Sequence, residues 1–290
     1  MKSKNWLYIL LILLCLGAFF GYRAWDSIRT DSEVPKITVS DGVPEFSVLD
    51  EKTVLLQGVT ASDKTDGDVT NSLVVESVSL LDKDGTVSVS YAAFDAAGNV
   101  AKAQRTVKYT DYESPRLTLS GPLAYPSGSS FDVLSTVGAT DVLDGDIQHR
   151  VRATALEQGS IAVTGTHNVQ FQVTNSLGDT VTQVFPVDVY AADEYNASLS
   201  LTSYIVYLNV GDSFNASKYL DTFTLQGEGT SLRSGLPRNF SMKTTGQVDT
   251  TQPGAYSVQI RVTYTDRHET NAELDRQYTG YSKLIVVVEG

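Results

Sequence analysis

Cysteine is all but absent from this chain. Cys15 is the one instance, and it lies inside an apolar run as a small packing residue. The rest of the sequence therefore holds no disulfide and no thiolate metal site. Extracellular immunoglobulin domains of eukaryotes usually carry a bridging pair, so its lack points to a bacterial exterior. Histidine is nearly as scarce. His149, His167 and His268 stand at no metal-ligand spacing from one another and read as surface or strand residues. Positive charge is outnumbered, 22 Lys and Arg against 34 Asp and Glu, for a net charge of -12. Such a balance repels phosphate and argues against nucleic-acid binding. It also weakens docking on an anionic membrane surface. Gly-x-Ser-x-Gly elbows and glycine-rich phosphate loops are missing.

Long apolar runs are missing too, with one exception. Lys2 and Lys4 precede Trp6 to Tyr22, which carries no charge. Its length is at the short end of the roughly 17–25 residues that span a bilayer. The lysines would keep the N-terminus in the cytoplasm and place the rest outside. Trp6, Tyr8, Tyr22 and Trp25 suit interfacial belts. A cleaved signal peptide competes with this reading, but it needs small residues at its cleavage site. Tyr22-Arg23-Ala24 does not supply them, and Leu14 before Cys15 does not suit lipidation. The expected order is a cytoplasmic stretch 1–5, an uncleaved transmembrane signal anchor 6–22 and a polar stalk 23–33. That places the protein in the cell membrane as a single pass, with its C-terminal domains extracellular.

Val, Thr, Ser, Tyr and Gly dominate the remainder, which predicts many short strands joined by turns. One acidic turn occurs twice. Ala61-Ser-Asp63-Lys-Thr-Asp66-Gly67-Asp68-Val69 returns as Ala139-Thr-Asp141-Val-Leu-Asp144-Gly145-Asp146-Ile147. The spacing is that of a repeated domain rather than a solenoid unit. Strands are expected at 36–39, 52–56, 73–81, 86–94 and 100–109, with a turn at 82–85. The same order recurs from 116 to 189. Alternation supplies a third copy. Four, six and eight residues after a turn glycine stand Val89, Tyr91 and Ala93. The counterparts are Val169, Phe171 and Val173, then Val258, Ile260 and Val262. One apolar face in three strands is what packing on a sandwich core requires. The fold class is all-β: tandem immunoglobulin-like β-sandwiches after an N-terminal transmembrane helix. Domain 1 covers 34–110, domain 2 covers 111–190 and a divergent domain 3 covers 195–290.

The first two segments resemble the bacterial immunoglobulin-like repeats first labelled from an insecticidal crystal protein, relatives of the HYR repeat. Segment one carries Asp63, Asp66, Gly67, Asp68, Thr70, Gly85, Tyr91, Asp95, Gly98 and Asn99 of that pattern in order. Segment two carries Asp141, Asp144, Gly145, Asp146, Gly165 and Phe171. It departs with Gln148 for the threonine and Asn175 for the hairpin aspartate. Segment three matches only in Pro253-Gly-Ala-Tyr256. The resemblance implies a fold and leaves the ligand open, since such modules serve mostly as spacers or adhesive units on bacterial surfaces.

The acidic turns admit two readings. Asp caps turns by accepting from its own backbone N–H groups, and this is the leading expectation. Three carboxylates around a turn glycine also suit a hard cation. Asp63, Asp66 and Asp68 would then hold calcium in the first segment, and Asp141, Asp144 and Asp146 in the second. No other cofactor is expected, and no enzyme. A glycosidase needs two carboxylates across a cleft, which small sandwiches seldom offer. The acceptor patterns at Asn196, Asn215 and Asn239 are read as accidental. Segment three is the expected binding surface, from its polar connections 226–233 and 266–271 and from Arg276, Tyr278 and Tyr281. The leading function is a structural or adhesive surface module. It would contact the membrane through its helix and an unknown protein, cell-wall or glycan partner. One alternative is an accessory subunit of an envelope assembly for polysaccharide export or secretion. A second is a carbohydrate-binding module.

Overall fold

The computed structural model describes residues 4–29, 31–82, 84–156, 162–268 and 274–290. Position 83 of the acidic turn 82–85 and positions 269–271 of the connection 266–271 lie outside the described residues. The chain divides into two compact units, Met1–Tyr112 and Glu113–Gly290.

The first unit opens with a helix, Lys4–Arg29. It runs past the apolar stretch, so much of the expected stalk is helical. Large apolar side chains along it, from Ile9 to Phe20, are exposed. Among the described residues no helix is long and apolar enough to cross a membrane, so the fold adds no support to the expected span at 6–22. The side chains described here without a break run from Tyr8 to Arg23, short of the whole apolar run. A sandwich follows. One sheet has the order Lys36–Val39, Val59–Asp63, Gly67–Asp68. The other has the order Glu45–Phe46, Val100–Tyr109, Thr86–Phe94, Val74–Val78. Val89, Tyr91 and Ala93 are fully buried between them, with Ala61, Leu73 and Val107. The alternation expected in Thr86–Phe94 therefore places the core as read.

One expected strand is something else. Lys52–Leu56 forms a 3-10 helix. Its apolar residues suit a strand, but buried side chains fix a turn here by taking its carbonyl oxygens. Tyr91 Oη donates to Leu55 O at 2.8 Å, and Arg105 donates to Leu55 O and Gln57 O, each at 2.8 Å. Those carbonyls then need no ladder partner.

The second unit begins with the same sandwich. Arg116–Leu119, Val137–Asp141 and Gly145–Asp146 make one sheet. Ala124–Pro126, Thr180–Tyr190, Gly165–Thr174 and Arg152–Ala155 make the other. Val169, Phe171 and Val173 are buried in its core. Residues from Ala197 onward form a seven-stranded sheet on the long hairpin of Gly254–Asp266 and Arg276–Glu289. The even positions Val258, Ile260, Val262, Leu284 and Val286 line this sheet's own core. The odd positions Ile285 and Val287 join the core of the second repeat, with Ile205. A strand buried on both faces reads as a continuous apolar run, which is why Leu284 to Val288 carries no polar residue.

The connection 226–233 is not a long loop. Leu220–Leu225 and Glu228–Ser231 pair as a hairpin closed by Gln226 and Gly227, both at positive φ (50° and 88°). A two-residue turn of that twist matches the twist of its strands. Two of the three asparagines whose acceptor patterns read as accidental are held by the fold. Asn215 caps a 3-10 helix by accepting from Ser217 N, and Asn196 bridges to Thr279 N and Gln277 O.

Candidate functional site

The two acidic turns are built alike and finished differently. In the first, Asp63 Oδ1 accepts from Thr65 N (2.7 Å) and Asp66 N (3.0 Å). In the second, Asp141 Oδ1 accepts from Leu143 N and Asp144 N, both at 2.9 Å. The last aspartate of each turn accepts from the first residue of a short 3-10 helix, Thr70–Ser72 or Gln148–Arg150. Asp68 Oδ1 accepts from Thr70 N, and Asp146 Oδ1 from Gln148 N, both at 2.9 Å. Hydrogen bonds from Thr70 hold the Asp68 carboxyl below its ordinary value. Gly67 and Gly145 sit at φ 76° and 69°, where a side chain would be strained. These four aspartates each accept from backbone N–H groups two or three residues ahead.

The remaining oxygens part company. Asp141 Oδ2 accepts from Asn175 Nδ2 at 3.0 Å. Asp144 accepts from Ser176 N, Ser176 Oγ and Arg150 Nη1 at 2.7, 2.8 and 2.7 Å. Burial pushes the Asp144 carboxyl up, but the Ser176 donors and Arg150 outweigh it and leave it lowered. In the first repeat, Asp95 stands where Asn175 stands in the second. It turns to Asn99, accepting from Asn99 N and Nδ2, both at 2.7 Å. Asp66 Oδ2 accepts from Ala96 N at 2.9 Å. Asp63 is buried, and its Oδ2 has no hydrogen-bond partner.

Asp31 completes this group, and the reading of the turn alone missed it. One carboxylate oxygen each of Asp31, Asp63 and Asp66 lies within 4.8 Å of the other two. Asn99 Nδ2 holds the linker in place through Asp31 O (3.1 Å) and Glu33 O (3.0 Å). Asp31 Oδ2 is also buried without a partner. Asp68 is not part of the group. A signal for Asp31 was present: Asp31-x-Glu33-x-Pro35 recurs as Asp111-x-Glu113-x-Pro115. The Asp111 carboxylate is occupied, accepting from Ser47 Oγ (2.6 Å) and Val48 N (2.8 Å).

Of the residues expected to bind a partner, Tyr278 and Tyr281 point to opposite faces of their strand. Tyr278 ends a row of rings with Phe240 and Tyr264, centroids 5.0 and 6.3 Å apart. These rings edge a groove that Gln226, Glu228 and Asp266 also line. Tyr281 faces the second repeat, stacks on Tyr195 at 4.9 Å and donates to Asp188 Oδ2. Burial pushes its hydroxyl pKa well up. Arg276 is exposed and pairs across the hairpin with Asp266.

No family model matches the chain. The pesticidal crystal protein Cry22Aa of Bacillus thuringiensis is 28% identical over 278 residues, 92% of this chain and 36% of that one. An uncharacterized 81.3 kDa protein of Acholeplasma phage L2 is 29% identical over 122 residues, 42% of this chain and 15% of that one. The chain thus spans about a third or less of the length of the curated relatives it matches. Among solved structures, the second CBM51 module with INT domains of Clostridium perfringens ZmpB is 17% identical. It covers 88% of this chain and 42% of that one at a TM-score of 0.22. The first three extracellular domains of Drosophila N-cadherin are 11% identical, covering 89% and 90% at a TM-score of 0.28. Overlaps that low carry no argument, so the β-sandwich assignment rests on this chain's own sheets.

Proposed function

We propose that the chain is a structural and adhesive module displayed outside a bacterial membrane, with the segment 6–22 as its anchor. The observation that carries this reading is the duplication of one sandwich, strand for strand and cap for cap. In both repeats the turn carboxylates hold their loops in place through backbone N–H groups. A repeated unit of that kind is a spacer that keeps an outer surface at a distance. The uncharged run behind Lys2 and Lys4, and the chain's net negative charge, agree with an anchored and well-solvated exterior. The module is read as non-enzymatic.

The test is cross-linking on intact cells, followed by purification of the full chain and mass spectrometry. Wall polymer or matrix as the recovered material supports the adhesive role. One stoichiometric set of envelope proteins overturns it in favour of an accessory subunit. A second reading, a glycan-binding module, is favoured by the ring row Phe240, Tyr264 and Tyr278 beside Gln226, Glu228 and Asp266. Rings with adjacent hydrogen-bonding groups suit a sugar face. A glycan array on which wild type and Tyr264→Ala behave identically removes that reading.

A further inference from the structure

We propose that Asp31, Asp63 and Asp66 form a binding site for one hard divalent cation of the calcium class, present in the first repeat and absent from the second. Clustered acids alone would not carry this. The second observation is Asp63 itself. It is 7% exposed, and its Oδ2 has no hydrogen-bond partner. A buried carboxylate oxygen without a donor is unfavourable unless a cation supplies the missing charge. Asp31 Oδ2 is in the same state, and the two acids share a group with Asp66.

The dimensions fit. Oxygens bound to one calcium at about 2.3–2.6 Å lie no more than about 5 Å apart, and the three carboxylate oxygens lie within 4.8 Å of one another. The donors are all oxygen, which suits calcium or magnesium and not a softer metal. Lys64 ends on Glu33 Oε1 at 2.8 Å, and its charge is also felt by Asp31 and Asp63. Asn99 Nδ2 donates to Asp95 and to two linker carbonyls, so its amide is also taken up elsewhere.

The second repeat is an internal control. There the oxygen equivalent to Asp63 Oδ2 is satisfied by Asn175, and Arg150 brings a positive charge to Asp144 at 2.7 Å. Protein donors occupy the place that the first repeat leaves to an ion. Because Asp31 belongs to the linker and Asp63 and Asp66 to the turn, an ion here fastens the linker to the sandwich. This inference stands on the turn geometry and survives failure of the adhesive reading.

The test is a calorimetric titration of CaCl2, and separately MgCl2, into chelator-treated full-length protein, with thermal unfolding alongside. One calcium per chain is expected, with a higher unfolding temperature in calcium. Asp31→Asn is expected to weaken binding at least tenfold. Asp31 Oδ1 accepts from Glu33 N at 3.0 Å in the linker and from no group of the 63–68 turn, so this variant keeps the caps of that turn, which near-ultraviolet circular dichroism would verify. Asp144→Asn in the second repeat is expected to leave the titration unchanged. Absence of any heat or thermal shift at 10 mM calcium, about tenfold above the dissociation constants of the weakest extracellular sites, overturns the proposal. Two equivalents of calcium, or unchanged binding in Asp31→Asn, overturns it equally.

Discussion

Asp188 and Lys283 form a buried ion pair, Oδ1 to Nζ 2.8 Å, with 8% and 1% of their side chains exposed. Asp188 ends the second repeat, and Lys283 stands on the last strand of the chain. Thr166 Oγ1 (2.7 Å), Gln259 Nε2 (3.0 Å) and Tyr281 Oη also donate to Asp188. The pair thus gathers donors from both parts of 113–290. Lys283→Met would leave the carboxylate buried without its counter-ion. That is expected to cost about 3–5 kcal/mol, read as a lower urea midpoint for this unit.

The same carboxylate sets a pH dependence. Burial pushes it up, but the Lys283 charge and the hydroxyls of Tyr281 and Thr166 outweigh that and hold it below its ordinary value. A folded-state value below the unfolded one, about 3.9, gives stability that is present above about pH 4. It is lost as pH falls through the lowered value. Unfolding of residues 113–290, followed from pH 7 to 2, is expected to show its main loss below pH 4. A loss centred near pH 6 would contradict this.

Two glycines separate strain from collision. Gly246 has φ 107°, and a Cβ there would meet Ser257 O at 2.3 Å. Gly98 has φ 89° with nothing within 4 Å. Gly98→Ala should cost about 1–2 kcal/mol, the conformational term alone. Gly246→Ala should cost clearly more, because backbone has to move. Chemical denaturation of the two variants tests the order.

Arg105 is 6% exposed, and its guanidinium forks to Leu55 O and Gln57 O. It also lies 5.6 Å from the Tyr91 ring centroid and 6.0 Å from that of Phe46. A lysine cannot reproduce a planar fork between two carbonyls. Arg105→Lys is expected to lose about 2 kcal/mol, whereas Tyr91→Phe, which removes one hydroxyl, should lose about 1 kcal/mol. Thermal melts of the full chain would rank them.

Truncation distinguishes the two repeats. A chain ending at Tyr112 keeps every residue of the first core and should fold with sharp side-chain NMR signals. A fragment of residues 113–190 lacks Ile205, Ile285 and Val287, which belong to the second core. It also lacks the counter-ion of Asp188. It is expected to give broad signals and to bind hydrophobic dye.

Much of this was legible from the residues. Period two placed Val89, Tyr91 and Ala93, and their counterparts, in the cores. The duplicated Asp-x-x-Asp-Gly-Asp showed that one sandwich occurs twice, and its capping role follows from local chemistry within six residues. Such facts depend on neighbours in sequence, and the sequence carries them directly. Other facts depend on which surfaces meet. Gln259, Arg261, Tyr281 and Lys283 look like the solvent face of an amphipathic strand, yet Gln259, Tyr281 and Lys283 hydrogen-bond to Asp188 and Arg261 to Tyr195. Parity says that these side chains share a face. Only packing against the second repeat makes that face an interior. Likewise, Asp63 and Asp141 sit in the same motif, and whether a carboxylate keeps a free oxygen is settled elsewhere, by Asp31 and Asp95 in one repeat and by Asn175 in the other. The sequence determined the alternating strands, their apolar faces and the acidic-turn contacts, because those follow from local geometry, but not the 3-10 helix at Lys52–Leu56. The tertiary structure decided which polar groups end up paired, because pairing depends on residues brought together from distant parts of the chain.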